Sequence, residues 1–144
     1  MSRHRFFYLL SHARHRVHKH TDRICQQELG ISVAQLGLLF VVMSQPGQQQ
    51  RTLASSLGYN ESAITALLRR MEEAGLVERR PDPDDSRVKR IFATTHGEAL
   101  AKKARPLLDE FNAKLDEGFT PEELDVAARF LAAAIERFGD EEGP

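Results

Sequence analysis

The 144-residue sequence predicts a mostly α-helical protein carrying one small β-hairpin. Apolar residues recur at helical spacing through most of the chain, and strand-type residues cluster only between Leu76 and Thr94. Between two short strand-like runs, Pro81-Asp82-Pro83-Asp84-Asp85 suits a turn and no regular ladder. A chain of this length buries a core without a disulfide or metal staple. The single cysteine, Cys25, excludes an intrachain disulfide and suits a reducing cytosol. No stretch approaches the ~18 uninterrupted apolar residues of a membrane span, so a soluble, cytoplasmic protein without membrane contact is expected.

The elements follow in order. Phe6, Leu10, Ala13, Val17, His20 and Ile24 draw one stripe along a first helix, which Gly30 ends. Ser32 and Gln35 have capping-box spacing and open a second helix through Leu36, Leu39, Phe40 and Met43. It is apolar nearly all round, hence central to the core, and Gln45-Pro46-Gly47 closes it. A short helix is expected from about Thr52, its cap, to Leu57, with Gly58 breaking it. Asn60 caps the next helix, which runs to about Ala74 with Gly75 beyond it.

Leu76 to Arg80 and Val88 to Thr94 read as paired strands, Ile91 and Ala93 on one face, Arg90 and Phe92 on the other. Thr95 and Glu98 have the spacing of another capping box, heading a long helix through Leu100, Ala104, Leu107, Leu108, Phe111 and Leu115. Pro106 is expected to kink it. Thr120-Pro121-Glu122-Glu123 starts the last helix, whose stripe is Leu124, Ala127, Ala128, Leu131, Ala134, Ile135 and Phe138. Gly139 ends it, and 140–144 reads as a frayed tail.

The net charge of −1 gives a nucleic-acid partner no support, but its distribution does. The chain carries +4 through Gly30, +2 from Ile31 to Lys103 and −7 from Ala104 onward. Ala54, Gly58 and Ile64 supply a small helix-crossing residue, a turn and an anchor, with Leu53, Leu57, Leu67 and Leu68 behind them. On spacing alone an ordinary helical hairpin fits as well as a helix-turn-helix. The following hairpin shifts the balance, because Arg79, Arg80, Arg87, Lys89 and Arg90 exceed what solubility requires, and Arg69 and Arg70 precede it. Such a set suits phosphates around a major groove and the adjacent minor groove.

Leu53-Ala54-Ser55-Ser56-Leu57-Gly58, Ser62-Ala63-Ile64-Thr65, Gly75-Leu76-Val77-Glu78-Arg79, Asp85-Ser86-Arg87 and Ala93-Thr94 with Gly97 resemble the MarR family of bacterial transcriptional regulators. Ala93 stands where that family usually has leucine. The resemblance implies a winged helix-turn-helix over 31–97, with the helix-turn-helix about 52–74 and the wing about 76–94. It also implies N-terminal (1–30) and C-terminal (98–139) helices that form a dimerisation region. A homodimer would place a recognition helix in each major groove of a palindromic operator. By position, Asn60, Ser62, Ala63, Thr65, Ala66, Arg69 and Arg70 would lie on the recognition surface. Arg87 would be the wing-tip arginine, Asp85 the carboxylate orienting it, and Lys89 and Arg90 further wing contacts. Arg51 and Thr52 are phosphate candidates.

The family often binds a small anionic or aromatic effector between its dimer helices and its DNA-reading unit. Tyr8, His12 and Arg16, at helical spacing, would face such a cleft, and an exposed polar face accounts for them too. The expected function is a homodimeric repressor released from DNA by an effector. The alternatives are a redox-sensing regulator through Cys25, with Arg23 favouring a thiolate, and a winged-helix protein-interaction module without specific DNA binding. His12, His15, His18 and Asp22 have metal-pair spacing, but the interleaved Arg14, Arg16, Lys19 and Arg23 repel a cation, so no metal is expected. No nucleophile triad, Gly-rich phosphate loop or catalytic acid pair occurs, so neither an enzyme nor a cofactor is expected.

Overall fold

A computed structural model describes residues 4–139, so the expected tail at 140–144 lies outside the described residues. The elements are α1 (Phe6–Leu29), α2 (Val33–Ser44), α3 (Gln50–Leu57), α4 (Glu61–Glu73), β1 (Val77–Pro81), β2 (Lys89–Ala93), α5 (Thr95–Asp116) and α6 (Pro121–Phe138). The mostly helical class with a single hairpin is therefore as expected. Among the described residues, no single helix is long and apolar enough to cross a membrane. The chain divides into two compact units, with the boundary between Arg105 and Pro106 inside α5.

The first unit is built around α2. Leu36, Leu38, Leu39 and Val42 are buried on several sides of this helix, as its unbroken apolar sequence requires. Leu53 and Ala54 of α3, Ile64, Leu67, Leu68 and Met71 of α4, Leu76, Val77 and Ile91 join them in the core, together with Cys25, Ile31, Ala101 and Ala104. The Ser32–Gln35 capping box forms in both directions, and Asp22 of α1 accepts the Val33 N–H at 2.9 Å. The N-terminus of α2 is thus satisfied partly from the preceding helix, which fixes where α1 joins the unit.

Several boundaries differ from the sequence reading, three of them with a clear physical reason. α3 begins at Gln50 after an extended Gln49, so Thr52 lies inside the first turn and does not cap it. Pro81 extends β1 opposite Lys89, because a strand end tolerates a missing N–H. The cap of α5 is Thr94, not Thr95: its hydroxyl accepts the Gly97 N–H at 3.0 Å and donates to the Gly75 carbonyl at 2.5 Å. One hydroxyl therefore ties the end of α4 to the start of α5. The turn brings α5 so close to the end of α4 that a Cβ on Gly97 would lie 2.2 Å from the Leu76 carbonyl oxygen.

The second unit contains the remainder of α5 and α6, joined at Gly118, whose φ of 86° is left-handed. The Thr120–Glu123 capping box and Pro121 start α6 as expected. No residue of α6 is buried, and Phe130, Leu131, Ile135 and Phe138 are exposed.

Candidate nucleic-acid interface

Helices α3 and α4 form the expected helix-turn-helix. Gly58 turns between them at φ 68°, and the Asn60 side chain caps α4 by accepting the Ala63 N–H at 2.8 Å. Ile64, Leu67, Leu68 and Met71 face the core. Ser62, Thr65, Ala66 and Arg69 share the opposite face, each three or four residues from others of the set, with Ala63 and Arg70 flanking it. All except half-buried Ala66 are exposed. Arg51 and Thr52 are exposed on the first turn of α3. Arg69 and Arg70 have no ion-pair partner among the described residues.

The wing is β1 and β2 in antiparallel register, Arg79 opposite Ile91 and Arg80 opposite Arg90. At its tip Asp85 grips Arg87 three ways. Oδ1 accepts the backbone N–H at 3.1 Å and Nε–H at 3.0 Å, and Oδ2 accepts from the second guanidinium nitrogen at 3.2 Å. The Arg87 side chain nevertheless stays 89% exposed. A long cation is thereby presented to solvent in a restricted conformation, which lowers the entropy cost of docking it. The Arg87 hydrogen bonds hold the Asp85 carboxyl below the usual carboxylate range.

The other wing cations are spent differently. Arg90 turns inward, donating to Asp82 and to the Gly47 carbonyl at 2.9 Å, and so pins the hairpin to the α2–α3 turn. The bridge between Gln48 and Ile91 reinforces the same junction. Asp82 also accepts the backbone N–H groups of Asp84 and Asp85, and these bonds, led by that from Asp84, keep its carboxyl low. Arg79 binds Glu72 of α4 and, at 3.2 Å, Gln50 of α3. Arg80 pairs with Glu78 and lies over the Phe92 ring at 4.3 Å. Arg87 and Lys89 are exposed, as is Arg80, whereas Arg90 is half-buried and braces the hairpin.

Residues 29–88 match the model of the MarR family. Over that segment the chain is similar to the MarR family. Among solved structures, S. aureus MepR in complex with DNA is 25% identical, with 94% of this chain and 99% of that one covered and a TM-score of 0.85. A MarR-family transcription regulator is 26% identical, with coverages of 95% and 91% and a TM-score of 0.83. The transcriptional repressor CouR, bound to a DNA duplex, is also 26% identical, with coverages of 88% and 89% and a TM-score of 0.79.

The residues expected to meet an effector, Tyr8, His12 and Arg16, share one exposed stripe of α1. The Tyr8 and His12 rings meet edge to face at 5.4 Å, and the Arg16 Nε donates to His12 Nε2 at 3.4 Å. Cys25 is buried, and burial, with Asp22 adding to it, pushes its thiol up. That is the reverse of what the redox alternative, with Arg23 favouring a thiolate, requires. Among the described residues no three of His, Cys, Asp and Glu converge as a metal site requires. Sequence reasoning passed over Gln50, Asp82, Gly47 and Gln48. The partners of Gln50, Gly47 and Gln48 lie far away in the chain, and Asp82 meets Arg90 only once the hairpin has closed.

Proposed function

We propose that the protein is a homodimeric, sequence-specific DNA-binding transcriptional regulator, acting as a repressor on a roughly palindromic operator in the cytoplasm, and not an enzyme. The observation that carries this reading is Arg87, held by Asp85 yet almost fully exposed at the end of a wing that follows α4. The α4 face from Asn60 to Arg70 enters the major groove, and Arg87 enters the flanking minor groove. Lys89, Arg51 and Thr52 meet phosphates. The DNA-bound states of MepR and CouR support the assignment.

Dimerisation accounts for the apolar stripes that remain exposed. Phe6 and Val17 on α1, and Leu131, Ile135 and Phe138 on α6, are large apolar side chains left in water, and burial against a second copy would cover each helix's stripe. One recognition helix reads too few base pairs for useful specificity, and twofold repetition corrects that. A small anionic or aromatic effector at Tyr8, His12 and Arg16 releases DNA by favouring a dimer with wrongly spaced reading units.

The test is titration of the protein with its own upstream DNA in the presence of excess unrelated duplex, at several salt concentrations. Tight, salt-sensitive binding that survives the competitor is expected. Binding without sequence preference overturns the operator, and weak, salt-insensitive binding favours a protein-interaction module.

A further inference from the structure

We infer that Gln50 sets the hydrogen-bonding polarity of Thr65 on the recognition helix, and thereby which bases that threonine accepts. This rests on α4 reading DNA, as proposed above. The Gln50 side chain lies between β1 and α4. Its Oε1 is 3.2 Å from an Arg79 guanidinium nitrogen, and its Nε2 is 2.5 Å from Thr65 Oγ1.

The orientation of the amide follows from its neighbours. A guanidinium only donates, so the atom facing Arg79 is the carbonyl oxygen, and the amide nitrogen is left to face Thr65. That nitrogen only donates, so the Thr65 oxygen accepts from it. The Thr65 hydroxyl hydrogen must then point elsewhere, and the Glu61 carbonyl oxygen lies 2.7 Å away to receive it. Glu72 holds Arg79 from its other side, so the guanidinium cannot swing off and let the amide flip.

Thr65 therefore has no hydrogen to offer outward. It presents one remaining lone pair and its methyl group from an exposed position on α4. In the major groove such a surface accepts from the amino groups of adenine or cytosine, or packs on the thymine methyl. It meets the O6 and N7 acceptors of guanine with no donor. Gln50 is thus a positioning residue for specificity, acting through Thr65 without touching DNA.

The experiment is selection of duplexes from a randomised pool by the full-length protein, comparing wild type, Gln50→Met and Gln50→Glu. Methionine keeps the bulk but frees the hydroxyl to rotate and donate. Guanine is then expected to become tolerated at one position per half-site, its exclusion weakening about tenfold. Glutamate takes the Thr65 proton itself and keeps the Arg79 bond, so the guanine exclusion is expected to persist. A merely structural Gln50 lowers affinity for all duplexes equally in both variants, and that result overturns the proposal. NMR of the free protein separates this failure from that of the DNA reading. The Thr65 side chain is expected to occupy one rotamer in wild type and several in Gln50→Met, and a Thr65 rotamer unchanged by Gln50→Met overturns the coupling whether or not the protein selects DNA.

Discussion

Asp85 binds both the backbone and the guanidinium of Arg87, two residues on, while leaving the arginine side chain almost fully exposed at the wing tip. The two side chains therefore make separable contributions. Arg87→Ala removes a charge and a groove contact, and a loss of about 1–3 kcal/mol in DNA affinity with a salt slope shallower by about one is expected. Asp85→Asn keeps the arginine but loosens it, so a smaller loss with an unchanged slope is expected. Arg87→Lys should not restore affinity, since an ammonium cannot take both carboxylate oxygens in parallel. Equal effects of Asp85→Asn and Arg87→Ala on the slope would contradict this division.

Arg90 and Lys89 are neighbours of equal charge with opposite duties. Lys89→Met is expected to flatten the salt dependence of DNA binding and leave the wing ordered. Arg90→Met should instead lower hydrogen-exchange protection at the Gly47 and Ile91 amides, which carry the junction between hairpin and turn. The global cost should stay within about 1 kcal/mol, because the Arg90–Asp82 pair is only partly buried. Intact protection at both amides in Arg90→Met would remove the bracing role.

The contrast shows how far the sequence could be read. Helix order, the hairpin, the capping boxes at Ser32 and Thr120, the Asn60 cap and the Gly58 turn are local signals, and local spacing is enough to see them. Asp85 and Arg87 belong to the same class, being two residues apart. The concentration of arginine in the wing was legible, but its use was not. Arg90 finds Gly47 and Arg79 finds Gln50 across 43 and 29 residues, and such partners exist only after folding. The choice of Thr94 over Thr95 as cap likewise depends on the Gly75 carbonyl, which tertiary structure supplies.

Gly97 offers a stability test. An alanine Cβ there would meet backbone, the Leu76 carbonyl oxygen at 2.2 Å, and backbone yields poorly. Gly97→Ala should destabilise by about 1–3 kcal/mol or more as the α4–β1 and α5 segments are forced apart. Gly37, inside α2, has open space where a Cβ would go. Gly37→Ala should stabilise by roughly 0.5–1 kcal/mol through helix propensity. Urea unfolding of the pair gives opposite shifts in midpoint, and shifts of the same sign would be inconsistent with the Gly97 contact.

The wing should be insensitive to pH from 7 down to about 5 and should loosen only in stronger acid. Asp82 is held low first by the Asp84 N–H and then by Arg90, and Asp85 first by the Arg87 guanidinium and then by the Arg87 N–H. Folded values below the unfolded ones mean that stabilisation is complete above the ordinary carboxylate range and is lost as pH falls through the lowered values. Amide chemical shifts of Asp84 and Arg87 followed by NMR should therefore stay constant across that window. Titration of these amides at or above the ordinary carboxylate pKa of about 3.9 would show the carboxylates to be unheld.

Cys25 should react slowly in the native protein. It is 6% exposed, and burial first, then the Asp22 carboxylate, raise its thiol above the usual range. Asp22 is itself fixed at the α2 N-terminus by the Val33 N–H, so it cannot move aside to relieve the repulsion. A folded value above the unfolded one means that the neutral thiol stabilises the fold below the ordinary thiol range, and that this support disappears as pH rises through the raised value. Native protein at neutral pH should resist a disulfide reagent that labels it rapidly in urea. Cys25→Ala should blunt alkaline destabilisation while leaving DNA release by peroxide absent in both forms. Rapid native labelling at neutral pH, or peroxide release abolished by Cys25→Ser, would instead make this cysteine a sensor.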